Sequence, residues 1–297
     1  MDAIDAFDPP FSVLKPSRQS APAVFNSPHS GRIYPHSFLK TSRLDALALR
    51  RSEDCYIDEL FGAAVELGCP LLKANFPRAF LDLNREPYEL DPAMFAEPLP
   101  NFANTSSMRV AGGLGTIPRI VSEHEEIYKG PLEFAEVEAR IERLYRPYHG
   151  ALRSLLQATA AEFGHALLVD CHSMPSTAAP PRSAGLGTRA DVVLGDRHGS
   201  TASAALTEAM ERAFAGQGFA VVRNKPYAGG FITQTHGRPD AGLHAIQVEI
   251  NRAIYVDERT LSPGHGFAAV KQAVAAGLRD FLMLLPDLFL MRRIAAE

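Results

Sequence analysis

Short apolar runs alternate with longer segments of helical periodicity along most of this 297-residue chain. Runs bounded by turn residues predict strands, and apolar positions spaced three and four residues apart predict helices. The predicted strands cover residues 22–26, 70–74, 190–195 and 219–223, and the predicted helices cover residues 44–67, 131–164, 200–216 and 263–285. Strands that alternate with helices indicate an α/β protein with a mostly parallel or mixed sheet.

The stretch over residues 167–175 is where the apolar pattern meets chemically active side chains. Three apolar residues lead directly into Asp170, Cys171 and His172, and Pro175 ends the segment. Such a run predicts a buried strand, and the functional side chains of open α/β sheets collect at the carboxyl ends of strands. His172 is therefore a candidate site residue, whereas the alternation of a strand turns Cys171 to the opposite face.

Three other strand ends carry polar side chains. His29 follows the strand at residues 22–26 in a turn of Pro, Ser and Gly, and Asn224 lies in a Pro- and Gly-rich turn after the strand at residues 219–223. Residues 245–252 alternate, so that Glu249 shares one face with two other polar residues and branched apolar residues occupy the other face. A polar face on an interior strand indicates that this face lines a cavity.

The predicted helix over residues 44–67, whose first part can instead form a separate short helix, carries the acidic residues Glu53, Asp54 and Asp58. A solvated helix face is one interpretation of such a group. The other is that an acid beside apolar positions points inward, where a buried charge is costly without a partner and a cation is the simplest one.

Arginines provide the recognition chemistry. Arg85 ends a strand-like alternation over residues 80–85, and its guanidinium can hold a carboxylate through two parallel hydrogen bonds. Arg109 begins a Gly-rich segment over residues 109–117, which lacks the pattern of a phosphate-binding loop and is better explained as a mobile loop near a site.

Composition and charge limit the classes of protein to which the chain can belong. Charged residues make up 22% of the chain and the formal net charge is -4, which does not favour nucleic-acid binding. Three cysteines without a close pair argue against a disulfide framework and a thiolate zinc site. The acidic start is unlike a signal peptide and no apolar run reaches the length of a membrane span, so we expect a cytoplasmic protein without nucleic-acid or membrane partners. Residues 1–21 are expected to be an irregular arm and residues 22–297 a single domain, with the oligomeric state left open.

These residue types form a coherent chemical set. Two histidines and one carboxylate are a common catalytic zinc set with an open position for water, and a further glutamate can act as general base. Arginines would recognise an anionic substrate. The residues thus indicate a metal hydrolase acting on an acidic small molecule.

Several short motifs, in order over most of the chain from Val24 to about Tyr255, resemble the N-formylglutamate amidohydrolase family. The motifs are residues 27–31, Glu53–Asp54 with Asp58, residues 82–85, residues 170–174, residues 224–230 and residues 247–252. That family is similar to the zinc carboxypeptidases and aspartoacylases. The resemblance implies a single domain with a twisted mixed sheet and helices on both faces, and a role in amino-acid catabolism, namely histidine degradation.

The resemblance also implies roles for individual residues. His29 and His172 correspond to metal ligands for one Zn²⁺, although other divalent metals suit the same donors. The related enzymes take their carboxylate ligand from an H-x-x-E pattern, which Arg32 breaks here. The third ligand is therefore expected to be Asp54, with Glu53 and Asp58 as alternatives.

The other implied roles concern the substrate. Asn84 and Arg85 correspond to the pair that holds the substrate carboxylate, helped by Arg252 and Asn224, while Glu249 corresponds to the general base and acid. Arg109 is expected to stabilise the oxyanion. The expected reaction converts N-formyl-L-glutamate to formate and L-glutamate. The alternatives are a zinc amidase or carboxypeptidase-like enzyme for another acyl amino acid, and a non-catalytic protein that binds acidic metabolites; the roles of His36 and His236 stay open.

Overall fold

A computed structural model provides the fold and describes residues 3–121, 125–181 and 189–295, with backbone only for residues 291–295. The strands are β1 (Phe11–Leu14), β2 (Ala23–Ser27), β3 (Leu71–Ala74), β4 (Ala166–Met174), β5 (Val192–Gly195), β6 (Val221–Arg223), β7 (Leu243–Asn251), β8 (Val256–Asp257) and β9 (Ser262–Pro263). The α-helices are α1 (His36–Thr41), α2 (Ala46–Arg50), α3 (Ile57–Leu60), α4 (Ala63–Glu66), α5 (Met108–Ala111), α6 (Phe134–Arg140), α7 (Arg146–Phe163), α8 (Ala204–Gly216), α9 (Phe231–His236) and α10 (Phe267–Ala295). Short 3₁₀ turns cover Ile4–Ala6, Pro92–Met94, Pro239–Ala241 and Arg252–Ile254.

Seven of the strands form one mixed sheet in the order β1-β3-β2-β4-β7-β5-β6. The central strand β4 pairs in parallel with both β2 and β7, whereas β5 pairs antiparallel to β7. The central strands are buried along nearly their whole length, as expected of a sheet covered on both faces. The predicted α/β class with a mixed sheet is therefore confirmed.

The chain divides into two compact units. The loop-rich unit comprises Met1–Ser12, Pro28–Asp54 and Lys73–Ala151, and the sheet unit comprises Val13–Ser27, Cys55–Leu72 and Leu152–Glu297. The predicted boundary after residue 21 and the single domain over residues 22–297 stay a prediction. Within the arm, however, residues 11–14 form β1, because their backbone is hydrogen-bonded to β3 at the edge of the sheet.

The core of the sheet unit lies on one face of the sheet. There Leu167, Val169 and Cys171 of β4 pack with residues of α3, α8 and α10. Cys171 thus lies on the face predicted for it. The short helix α9 contacts β4 and β7. The opposite, partly polar face of these strands carries Asp170 and His172, one residue out of phase with the core positions.

The predicted helix over residues 131–164 forms with an internal irregularity. Helix α6 passes into a π-helical segment, Ile141–Tyr145, which leads directly into α7. Pro147 follows this segment, and its ring nitrogen cannot donate the hydrogen bond that a regular helix requires. The wider π turn accommodates the loss without a break in the helical run.

The single predicted helix over residues 44–67 is wrong in its middle, and the alternative of a separate short first helix is confirmed by α2. Residues 51–56 separate α2 from α3, and Tyr56 has a left-handed backbone with φ +61°. The amide of Asp54 donates to the carbonyl of His29 at 2.9 Å instead of continuing a helix. Glu53 and Asp54 therefore lie in an irregular segment, where tertiary contacts and not helical period decide their direction.

The strand-like alternation over residues 80–85 is also not a strand. This segment consists of turns, and the carboxylate of Asp82 accepts the amide hydrogen of Asn84 at 2.8 Å. An aspartate that accepts a hydrogen bond from the backbone amide two residues ahead favours a turn over a β-strand.

Two further expectations concern loops and membranes. Of the predicted substrate loop after Pro175, residues 182–188 lie outside the described residues. Among the described residues, no helix combines the length and hydrophobicity needed to cross a bilayer.

Arg140 is a fully buried cation that joins three elements of the loop-rich unit. Its guanidinium donates to the carbonyl of Phe80 at 3.0 Å and to the hydroxyl of Tyr128 at 2.8 Å, and it forms an ion pair with Glu136. The guanidinium carbon also lies 3.8 Å from the ring centroid of Phe80.

We expect Arg140→Leu to lower the free energy of unfolding by about 2–4 kcal/mol, because it leaves buried acceptors unpaired and removes the cation–π contact. The measurement is urea unfolding followed by circular dichroism. The control is Arg143→Leu, whose half-exposed side chain pairs with Asp5 and should cost less than about 1 kcal/mol. Equal losses in the two variants would show that burial of Arg140 has no special stabilising role.

Candidate active site

His172 lies within β4, since the strand continues to Met174 and does not end before the histidine. The residue is 3% exposed, and its Nε2 lies 3.0 Å from Oδ2 of Asp170, within ion-pair distance. The other oxygen of Asp170 accepts a hydrogen bond of 2.7 Å from the amide of Asn26 on β2. The neighbouring strand thus fixes the carboxylate that lies beside the histidine.

Glu249 is the register partner of His172 on the parallel strand β7, so both side chains emerge on the same face of the sheet. Gln247 donates to Oε1 of Glu249 at 2.8 Å, and the amide of Gly230 donates to the side-chain oxygen of Gln247 at 2.8 Å. The predicted alternation along residues 245–252 is confirmed. It places a buried carboxylate, held by an amide, next to the histidine strand.

Arg252 and Asn224 lie elsewhere in the sheet unit. Arg252 follows β7 and donates from Nε to the hydroxyl of Ser173 at 3.0 Å, beside His172 in sequence. Asn224 adopts a left-handed backbone conformation. Its side-chain NH₂ donates to the carboxylate of Asp196, and its side-chain oxygen accepts a hydrogen bond from the backbone amide of Asp196. Through these described contacts Asn224 stabilises the turn after β6.

His29 lies in the loop-rich unit, in the turn that follows β2, and is 1% exposed. Its Nε2 makes a 2.8 Å hydrogen bond with Oδ1 of Asp82. Its Nδ1 lies 3.4 Å from Oδ2 of Asp54. The histidine is therefore held between two buried carboxylates, one at each ring nitrogen.

The three acids considered as a third ligand have different surroundings. The carboxylate of Asp54 contacts the imidazole of His29. Glu53 instead forms a 2.9 Å ion pair with Arg50 and accepts a hydrogen bond from the hydroxyl of Tyr34. Asp58 is buried in α3, in the sheet unit. Of Glu53 and Asp54, which belong to the same unit as His29, Asp54 is the one whose carboxylate faces the imidazole.

Asp82 is the functional residue that sequence reasoning missed, although it belongs to one of the recognised motifs. Besides His29 and the amide of Asn84, it contacts Arg78 at 3.0 Å and Arg85 at 3.5 Å. Burial raises the pKa of this carboxyl, but the charges of the two arginines and of His29 outweigh burial and hold the pKa well below its usual value. Asp82 is therefore a carboxylate that can accept the Nε2 hydrogen of His29.

Arg85 is presented by a turn and is 9% exposed. Its Nε donates to the carbonyl of Leu114 at 2.7 Å and Nη1 donates to the carbonyl of Asn84 at 2.8 Å. Burial lowers the pKa of Arg85 to about 10, so it stays charged at neutral pH. The contact with Leu114 also ties the Gly-rich segment to Arg85.

Arg109 lies on the short helix α5, and its side chain is 36% exposed. Its Nη1 is 3.7 Å from Oε2 of Glu89, a buried carboxylate that also accepts a hydrogen bond from the hydroxyl of Ser107. Ser107 in turn caps α5 through the amide of Val110. Glu89 therefore anchors the helix that carries Arg109.

The donor chemistry fits a metal ion. A histidine that binds a metal commonly directs its other ring nitrogen to a carboxylate, which fixes the tautomer. Both His29 and His172 have an aspartate oxygen beside Nε2, at 2.8 Å and 3.0 Å respectively. His29 and Asp54 of the loop-rich unit and His172 of the sheet unit are all buried and carry side chains of the kinds that bind metal ions.

The roles of two further histidines stay open. His36 begins α1 and is exposed, and His236 ends α9 in the sheet unit.

Comparison with known proteins identifies the family of the chain. The family profile of N-formylglutamate amidohydrolase matches residues 21–256. An N-formylglutamate deformylase of Pseudomonas aeruginosa is 30% identical over 274 residues, which cover 91% of this chain and 94% of the relative. A second, from Pseudomonas putida, is 28% identical over 80% of this chain and 82% of its own length.

Solved structures show the same fold. The crystal structure of N-formylglutamate amidohydrolase from Ralstonia eutropha JMP134 superposes with a TM-score of 0.86 at 34% identity, covering 94% of this chain and 99% of that chain. A gene product of Agrobacterium tumefaciens shares the fold at 17% identity, with a TM-score of 0.60 over 92% of this chain and 95% of that chain.

The matched profile, the relatives and the fold place the chain in the class of hydrolases that act on linear amide bonds. Within that class the chain belongs to the N-formylglutamate amidohydrolase family, and the resemblance drawn from its sequence motifs is confirmed.

Proposed function

We propose that this chain hydrolyses N-formyl-L-glutamate to formate and L-glutamate with the help of one divalent metal ion, Zn²⁺ in the first instance. Family membership supports the substrate. The observation that carries the metal dependence is the pair of buried histidines, each with an aspartate beside Nε2. We place the reaction in the cytoplasm and in histidine degradation, as the family resemblance implies.

In this proposal His29 and His172 would hold the ion through their imidazole rings and Asp54 would hold it through its carboxylate. Asp82 and Asp170 hold the histidine rings and keep a proton on each Nε2. When bound, the ion lowers the pKa of a water molecule and polarises the carbonyl of the substrate.

Glu249 is the general base and then the general acid. Its carboxylate takes a proton from the attacking water and returns it to the nitrogen of the leaving amine, so that the amide C–N bond breaks with a neutral amine. Gln247 keeps the carboxylate oriented through its 2.8 Å hydrogen bond. Arg109 stabilises the negative charge that develops on the formyl oxygen.

The carboxylates of the substrate are bound by Arg85, Arg252 and the amide of Asn84. Two guanidinium groups match the two carboxylates of an N-acyl glutamate, since each can form paired hydrogen bonds with one carboxylate. Asn224 contributes by holding the turn after β6 in place. A neutral N-acyl amino acid should therefore bind more weakly than an acidic one.

The test is to measure formate or acyl release by the metal-loaded protein from N-formyl-L-glutamate, N-formyl-L-glutamine and N-acetyl-L-glutamate. We expect kcat/KM to be highest for N-formyl-L-glutamate and at least about tenfold lower for the glutamine analogue, because one charge-assisted pair is lost. Chelation should abolish turnover and Zn²⁺ should restore it.

Other outcomes separate the alternatives. Faster release of acetate than of formate would identify a deacylase for another acyl group. Tight substrate binding without turnover in the metal-loaded protein would identify a binding protein.

A further inference from the structure

A second pocket lies in the sheet unit, between α7, α9 and the start of β7, with a volume of about 340 Å³. None of its lining residues belongs to the proposed catalytic or substrate-binding set. Arg153 and Gln157 of α7 contribute to its rim, and Arg238 follows α9. The residues that line the pocket are therefore distinct from those proposed for the family reaction.

The pocket is positively charged. Arg153 and Arg238 are both exposed, and within the described part of the chain the side chain of neither arginine has an ion pair or hydrogen bond. Both are close enough to His236 for their charges to lower its pKa. Two neighbouring cations without a carboxylate partner among the described residues favour an anion between them.

His236 supplies a third polar group at this pocket. Burial lowers its pKa to about 4, and the two arginines act in the same direction against the opposing charge of Asp170, so the imidazole is neutral at pH 7. Its Nε2 is shielded from solvent and has no hydrogen-bond partner among the described residues. Buried polar atoms of this kind usually have a partner, and an anion that enters the pocket can provide one.

The remaining wall of the pocket is apolar. Leu156, Ala160 and Leu243 line it beside the charged residues. An aliphatic chain can pack on this wall while its acid group meets the guanidinium groups, whereas inorganic phosphate has no part that would use it. The two cations and the apolar wall together therefore favour an organic anion over an inorganic one.

We propose that this pocket binds a small organic carboxylate, with its acid group between Arg153 and Arg238 and its aliphatic part against Leu156 and Leu243. The ligand is a second small molecule, separate from the substrate.

Calorimetric titration of the full chain with propionate, succinate and inorganic phosphate tests the proposal. We expect saturable binding of a carboxylate, and at least about tenfold weaker binding in the double variant Arg153→Gln/Arg238→Gln, because charge-assisted hydrogen bonds are lost. The matched control is Arg279→Gln, an exposed arginine of α10, which should bind as the parent does. Unchanged thermal unfolding of each variant shows that the fold is retained.

Three results would overturn the assignment. One is carboxylate binding that the double variant retains in full. Another is binding that Arg85→Gln abolishes and the double variant keeps, because the ligand would then occupy the proposed substrate site. The third is phosphate binding that is as tight as carboxylate binding and is lost in the double variant, which would make the pocket a site for inorganic anions.

Discussion

The substitution Glu249→Gln is expected to lower kcat by about 10²–10⁴-fold while leaving the metal content unchanged. The glutamine side chain has nearly the same shape, and its oxygen can still accept the hydrogen bond from Gln247 that the glutamate accepts at 2.8 Å. It has no carboxylate to take a proton from water at neutral pH. The loss should therefore fall on the chemical step and spare folding and metal binding.

Formate release under saturating substrate measures kcat, and atomic spectroscopy measures the metal. The control is Glu208→Gln, an exposed glutamate of α8, which should have normal turnover. Near-normal turnover of Glu249→Gln would remove Glu249 from the mechanism. Loss of metal from the same variant would instead show that Glu249 is a ligand.

The substitution Asp54→Asn is expected to lower metal affinity by at least about 100-fold and to remove activity together with the metal. Replacing even an orienting partner of a ligand commonly costs 10–100-fold in affinity, and loss of an anionic ligand should cost no less. Asp54 is the acid whose carboxylate lies 3.4 Å from Nδ1 of His29.

Glu53→Gln and Asp58→Asn are the matched comparisons, because both acids are buried and belong to the same acidic group in the sequence. Glu53 contacts Arg50, so its substitution should reduce stability more than metal content. Competition with a chromophoric chelator gives the metal affinity of each variant. Full affinity in Asp54→Asn, with loss in either of the others, would assign the third ligand to a different acid.

Local pattern was sufficient for the parts of the site that lie on strands. The alternation of residues 245–252 places Glu249 on the polar face of β7, and the parallel register with β4 brings it beside His172. Both positions follow from period-two geometry and from the rule that polar side chains gather toward the carboxyl ends of strands.

Local pattern failed where the chain is irregular. Residues 44–67 have helical spacing, yet residues 51–56 leave the helix and carry Asp54 to His29, which lies 25 positions earlier in the numbering. Residues 80–85 alternate like a strand, yet Asp82 forms a turn and reaches the same histidine across 53 positions. In both segments a contact with a distant residue overrides the preference of the local sequence.

By itself the sequence determined the α/β class, the mixed sheet, the family and the strand positions of His172 and Glu249, because strand periodicity and ordered motifs are local properties of a chain. Only the tertiary structure decided that Asp54 and not Glu53 faces His29, and that Asp82 and Asp170 lie at Nε2 of the two histidines. Those contacts join residues that irregular turns and neighbouring strands bring together. No period in the sequence encodes such contacts.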